Sequence, residues 1–202
     1  MKPWVNRETS DKNFADAQLR DLDFEKCIMT RCSFRGADLH NARAGDGCIF
    51  DECDFSYSHL NAVEFTAVSF VNCKFVGAKL PLGQLIDCRL LGADFTDADF
   101  ESITIRGGDW TWVNLRGQDL RGNDLRKMKF KGTDFYSANL QKVDLRSADL
   151  TDANLDQALL KGADLRDALL TGVDLRGIDL SDVRIDIAQA IQVAQSLGAK
   201  VG

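Results

Sequence analysis

The sequence predicts an all-β solenoid, a chain that turns a corner every five residues and stacks its turns into a rod, ended by a short α-helix. Three observations predict it. Large apolar residues recur at every fifth position over most of the chain. The position two residues before each is usually small or β-branched, and after Ile185 the five-residue period gives way to a helical one.

From Phe50 to Ile185, all 28 positions taken in steps of five are large and apolar, Phe55, Phe75, Trp110, Phe135 and Leu165 among them. With 45% hydrophobic residues overall, chance agreement over so many positions is negligible, and periodicity is the primary structural signal in a sequence. Upstream the period holds one residue out of phase, at Phe14, Leu19, Phe24, Met29, Phe34, Leu39 and the weaker Ala44. The six-residue step from Ala44 to Phe50, through Gly45-Asp46-Gly47, marks a one-residue insertion and predicts a bulge or turn distortion at 45–49.

Neither regular element accommodates this period. Five residues along an α-helix advance about 140° beyond one turn, so the apolar positions would spiral around it. In a straight strand, odd spacing sends successive residues to opposite faces. A chain that bends once per repeat points every central residue toward one axis. The second inward slot agrees: it holds Ala93, Ala138, Ala148, Ala163 and all six cysteines, Cys27, Cys32, Cys48, Cys53, Cys73 and Cys88. Ten of the 16 glycines lie two residues after a centre, where a turn of positive φ tolerates them.

The stretch GADLRDALLTGVDLRG at 162–177 resembles the A(D/N)LXX signature of the pentapeptide repeat family, and the resemblance covers about 14–185. It implies a right-handed, four-sided (quadrilateral) β-helix with four repeats per coil. The domains are then a β-helix over 1–185 and a capping and dimerisation helix over 186–202. The 35 repeats make roughly nine coils, a rod about 40 Å long at ~4.8 Å between neighbouring strands. Residues 20 apart stack, which places Cys32, Cys53 and Cys73 in one interior column and Cys27 and Cys48 in another.

The ends of the chain, MKPWVNRETSDKNF and VRIDIAQAIQVAQSLGAKVG, narrow the likeness. They look like the ends of the gyrase-protecting subgroup, the MfpA-type, Qnr-type and albicidin-resistance proteins. Those are homodimers that imitate B-form DNA and bind DNA gyrase or topoisomerase IV, countering quinolones (fluoroquinolone resistance) or other poisons. The chain shows no long inserted loops of the Qnr type, so it looks closer to the MfpA type. The resemblance implies a DNA mimic that inhibits topoisomerase, with no cofactor, no metal, no membrane contact and no direct nucleic-acid binding. The alternative is a scaffold or adaptor of the wider family without a topoisomerase target.

Charge is unevenly distributed. The formal net charge is −6, which argues against a simple electrostatic grip on phosphates. Residues 41–105 carry ten acids against four bases and account for all of it. Asp often precedes the centre, and stacking makes columns such as Asp94, Asn114, Asp134, Asn154 and Asp174. The candidate partner-binding acids are Asp94, Asp99, Asp119, Asp134, Asp174 and Asp179. Asp in this slot equally suits a local role, accepting backbone hydrogen bonds at a turn. Arg106, Arg126, Arg146 and Arg166 form a basic ladder beside Asp124, Asp144 and Asp164, so that face is expected to be nearly neutral.

After Ile185, Asp186 suits an N-cap with Gln189 in the capping-box position, and Gly198 suits the stop. Ile187, Ala190, Ile191, Val193, Ala194 and Leu197 fall on one arc of the helix. That arc fits either a cap over the last coil or a two-fold contact, and Ile187, Ala190, Ile191, Ala194 and Leu197 are the candidate dimer interface.

Nothing points to catalysis. His40 and His59, the only histidines, form no metal or nucleophile arrangement with the inward cysteines. Phosphate loops and paired-carboxylate sites do not stand out. Trp110 is expected in the core and Trp112 outside. Outward Val71, Val76, Leu82, Ile86 and Leu91 fit either a contact patch or local packing. The N-terminus has no signal-peptide core and no stretch approaches ~18 apolar residues, so a soluble cytoplasmic protein with reduced thiols is expected.

Overall fold

The computed structural model describes residues 2–201. Its regular strands are β1 (Trp4–Val5), β2 (Glu8–Ser10), β3 (Asp23–Glu25), β4 (Ile28–Thr30), β5 (Arg43–Ala44), β6 (Ile49–Asp51), β7 (Glu64–Thr66), β8 (Ser69–Val71), β9 (Gln84–Ile86) and β10 (Thr104–Arg106), followed by helix α1 (Ile187–Ser196). All strand pairs are parallel. One sheet runs β1-β3-β5-β7-β9-β10 and a second β2-β4-β6-β8. Two further faces are single-rung ladders, such as Asn13, Ser33, Asp54, Lys74, Asp94, Asn114, Asp134 and Asn154. Four centres per coil thus give four sides.

The register explains the phase shift. Steps are 20 residues, as in Trp4↔Phe24, except across the insertion, where Arg43 pairs with Glu64 and Ile28 with Ile49. The extra residue is taken up in the turn, where Gly47 has φ 82° and the Cys48 amide donates to Gly45 O at 3.1 Å. Trp4 stands where a centre would, with ring centroids 5.1 Å from Phe14 and 5.5 Å from Phe24. The coil therefore begins ten residues before the first apolar centre legible in the sequence.

The centres fill the rod. Phe34, Phe55, Phe75 and Phe95 form a continuous stack with centroids 4.8, 5.0 and 4.6 Å apart and rings within 8° of parallel, matching the ~4.8 Å separation of neighbouring strands. Trp110 is wholly buried. The narrow slot has a polar task beside its packing. The carbonyl of a centre accepts the amide of its own turn, as Phe95 O does from Ala98 N at 3.0 Å. Its second lone pair takes a side chain from the next coil: Cys53 to Met29 O at 3.3 Å, Cys73 to Phe50 O at 3.3 Å, Thr133 to Trp110 O at 2.7 Å and Gln118 to Phe95 O at 2.9 Å. A thiol is small enough for the slot and still donates. All six cysteines are free and buried.

The ten glycines two residues after a centre all have positive φ, as expected, and some of them meet a second demand. The second residue after a centre has positive φ whether or not it is glycine, for example Trp112 at 60°, Ser137 at 56° and Asp152 at 58°. Glycine is needed where the side chain one coil earlier lies flat across the position. A Cβ on Gly132 would run into the Trp112 indole, and one on Gly77 would sit 2.7 Å from the Tyr57 ring.

At the C-terminus α1 opens with a full capping box between Asp186 and Gln189. Gln189 is buried and plays the part of the next coil's slot residue: its Nε2 donates to Leu165 O, and to Ala168 O at 2.9 Å. Val193 packs against the core. The helix therefore caps the rod with Gln189 and Val193, which turns the other side of its apolar arc outward.

Candidate partner-binding surface

Outside the regular strands, an Asp or Asn before a centre first serves its own turn, accepting the backbone amide two residues on. Asp94 Oδ1 takes Thr96 N at 3.0 Å, Asp134 takes Tyr136 N at 2.9 Å and Asp179 takes Ser181 N at 2.9 Å. This closes an Asx turn at the corner, so the slot has a structural task, and only the remaining oxygen is free for other work.

That second oxygen divides the six candidate acids. Where Arg follows the centre, it folds back on its own Asp. Asp119 meets Arg121 and Asp174 meets Arg176, each at 2.6 Å, and the Arg176 guanidinium holds the Asp174 carboxyl down to about 2. Asp134 pairs with Arg116 at 3.0 Å, and that guanidinium also lies 4.1 Å over the Tyr136 ring. Asp94, Asp99 and Asp179 have no ion pair among the described residues. Three of the six expected acids are thus locally neutralised. For Asp119 and Asp174 the pairing follows from the run Asp-Leu-Arg, a signal that the sequence itself carries.

The columns are real but diluted. Asp94, Asn114, Asp134 and Asn154 are successive rungs, and each Asn donates to the acid before it, Asn114 to Asp94 and Asn154 to Asp134, both at 3.0 Å. Asp174, expected as the next rung, forms no bridge to Asn154 among the described residues; the last coil is tied instead on the face of Asp124, Asp144 and Asp164, through Arg184 to Leu165 and Ala163. The arginine-laddered face is compensated as expected: Arg126 reaches Asp124 and Asp144, and Arg146 reaches Asp144 and Asp164.

The uncompensated charge lies elsewhere. In residues 41–105 only Glu64, with Arg43 at 3.0 Å, is an ion-paired acid among the described residues. Six net negative charges over about three and a quarter coils, roughly 16 Å at ~4.8 Å each, make one per ~2.6 Å, against about one per 1.7 Å of duplex DNA.

The five helix positions expected at an interface are not used by the protomer. Ile187 is 82% exposed and Leu197 72%, Ile191 and Ala190 are also exposed, and Ala194 is half-buried. Trp112 is outside, as expected, and Leu82 is the exposed member of its apolar group, with Val71, Val76, Ile86 and Leu91 half-buried. No group of His, Cys, Asp and Glu suited to a metal ion occurs among the described residues, and none of their helices is long and apolar enough to cross a membrane.

Comparison with known proteins agrees with this architecture. The whole chain superposes on a trypsin-treated variant of QnrB1, a plasmid-mediated fluoroquinolone resistance protein, with a TM-score of 0.84, 23% identity and full coverage of both chains. Full-length QnrB1 gives a TM-score of 0.83 at 22% identity, covering 98% of this chain and all of that one. These likenesses show the fold, a right-handed four-sided β-helix. No curated protein matches the sequence. The family model for pentapeptide repeats matches eight copies, over residues 13–44, 48–81, 111–146 and 148–185, and with most of its length so accounted for, the chain belongs to the pentapeptide repeat family.

Proposed function

We propose that the protein is a DNA mimic that binds bacterial DNA gyrase or topoisomerase IV, as a homodimer joined through α1, and counters topoisomerase poisons of the fluoroquinolone or albicidin type without catalysing a reaction. The observation that carries this reading is the acidic middle of the rod. Its axial charge density lies within a factor of two of duplex DNA, on a rod whose fold is that of a fluoroquinolone resistance protein. Charge of that density steers a basic DNA-binding surface toward the rod.

The partner-facing acids in this reading are the unpaired ones of the middle segment, Asp94 and Asp99 among the six candidates. Asp119, Asp134 and Asp174 act through their arginines. Two rods joined at Ile187, Ile191 and Leu197 would present two acidic middles on one two-fold axis. The charge balance of residues 106–202, fourteen acids and fourteen bases, favours a second reading for that half, a scaffold surface without a topoisomerase target.

The deciding experiment is a supercoiling assay with purified gyrase, with and without ciprofloxacin or albicidin. Inhibition or protection at micromolar protein is the expected result. Neither effect at that concentration overturns the reading.

A further inference from the structure

Halfway along the rod the ladder opens. One coil before, six backbone rungs are intact: Gly77 N to Thr96 O, Leu80 N to Asp99 O, Leu82 N to Glu101 O, Asp87 N to Arg106 O, Asp99 N to Ala78 O and Thr104 N to Gly83 O, all at 2.7–2.9 Å. One coil after, the same six recur, from Gly117 N to Tyr136 O at 2.9 Å through Asp144 N to Asn123 O at 3.3 Å. Between them, the amides of Asp97, Phe100, Ser102, Gly107, Asp119 and Asp124 have no such partner, and the rung between Asp99 and Asp119 is missing. The Ile105 amide is met instead by the Asn123 side chain at 3.3 Å.

Unusual slot residues mark the place. The narrow inward slot, elsewhere mostly Ala, Cys or Val, here holds Ile103 above Asn123, and Gln118 beneath Ala98. The opening coincides with these residues on two faces, although Leu22 and Met128 fill the same slot in closed parts of the ladder. The opening is a cavity of about 1020 Å³ lined on one lip by 97–103 and on the other by 116–119 and 121–123, with Gln141 and Lys142 behind the second lip. Gly117 and Gly122 face it, and a Cβ added to either would meet nothing within 4 Å.

We propose that this split is a binding site for one extended polypeptide segment rich in Lys or Arg, seated as an added parallel strand between the coils. An open edge carrying unpaired N–H and C=O groups is a template for strand addition. Here both edges are open at once: amides of Asp97, Phe100 and Ser102 on one lip face carbonyls on the other, so an inserted strand pairs on both sides. The segment is basic because Asp97, Asp99 and Glu101 on the first lip have no ion pair among the described residues, and no Lys or Arg occurs between Arg89 and Arg106. The second side carries Arg116, Arg121 and Lys142, with Asp119 paired to Arg121 and Arg116 to Asp134, so the free acidic charge belongs to the first lip. The site shares Asp99 with the topoisomerase reading but does not rest on it, and it is tested without that enzyme.

The test combines amide hydrogen exchange with a synthetic peptide of about eight residues alternating Lys and Thr. In the free protein the amides of Asp97, Phe100, Ser102 and Asp119 should exchange at least about a hundredfold faster than those of Gly77, Leu80, Leu82 and Asp99. Adding the peptide should protect them. Binding should weaken about tenfold or more when alternate backbone nitrogens of the peptide are methylated, when Lys is replaced by Glu, and in the variant Asp97→Asn/Asp99→Asn/Glu101→Gln. Equal protection of the two sets of amides in the free protein overturns the proposal, since the ladder is then closed. Failure of the peptide to bind overturns it as well, and so does binding that neither protects these amides nor responds to N-methylation.

Discussion

Replacing Ile187 with Asp separates the two-fold contact from the fold of the protomer. Ile187 is the first residue of α1, next to the N-cap Asp186, in a first turn that has no acid. A carboxylate there meets the positive end of the helix and is favourable by about 0.3–1 kcal/mol. At 82% exposure the isoleucine contributes little to its own chain, so the protomer should melt no lower than the parent. In a joined pair the position is buried twice. Exposed fractions of 82, 37 and 72% for Ile187, Ile191 and Leu197 amount to about two whole side chains per protomer and four per pair, or roughly 6–12 kcal/mol of apolar burial. That stands against an association cost of about 4–15 kcal/mol, so the contact has little to spare. Losing Ile187 from both copies removes about 2.5–5 kcal/mol, raising Kd roughly 70- to 5,000-fold, before any cost of burying the new carboxylates. Sedimentation velocity across a concentration series should show the parent as a dimer and Ile187→Asp as a monomer. An unchanged dimer places the interface elsewhere, and a monomeric parent removes it altogether.

Four other outcomes are expected. If acids of the middle segment carry partner binding, Asp94→Asn with Asp99→Asn should weaken gyrase binding and flatten its salt dependence in a binding titration. The triple change of Asp124, Asp144 and Asp164 to Asn, on the compensated face, should do much less, and equal losses would refute a face-specific mimic. Phe55→Ala, which removes a buried ring stacked at 4.8 and 5.0 Å on its neighbours, should cost about 3–5 kcal/mol in urea unfolding; a cost under ~1 kcal/mol would contradict the stacked core. Arginine partners hold the carboxyls of Asp124, Asp144 and Asp164 below their usual range, and that of Asp174 at about 2. With folded values depressed, their stabilisation is present above the unfolded value near 3.8 and is lost as pH falls toward 2. The urea midpoint should therefore be level from about pH 7 to 5 and drop below about 4, less so at high salt, and a midpoint that rises on acidification would contradict the pairing. Finally, a thiol reagent should label none of the six cysteines quickly in the native protein and all six after unfolding; burial also pushes the Cys88 thiol up to about 11.

Sequence alone determined the repeat, because a strict five-residue spacing of large apolar residues from Phe50 to Ile185 has one economical solution, a chain bent toward a common axis. It also located the insertion at 45–49, the inward cysteines and the capping box of Asp186 and Gln189, since each rests on spacing along the chain. Tertiary structure decided what depends on groups 20 residues apart meeting across coils. Only there do the glycines at 77 and 132 turn out to make room for Tyr57 and Trp112, and only there does Gln189 take the place of a missing coil and direct Ile187 and Leu197 outward. The division of the acids is partly legible: every Asp-Leu-Arg run pairs within itself, whereas the pairing of Asp134 with Arg116 is made between coils and is seen only in the structure. The split between residues 97–107 and 117–126 lay furthest from view. Apolar centres continue through it without a break, and which backbone groups of two stacked coils meet is decided only by the stacking itself.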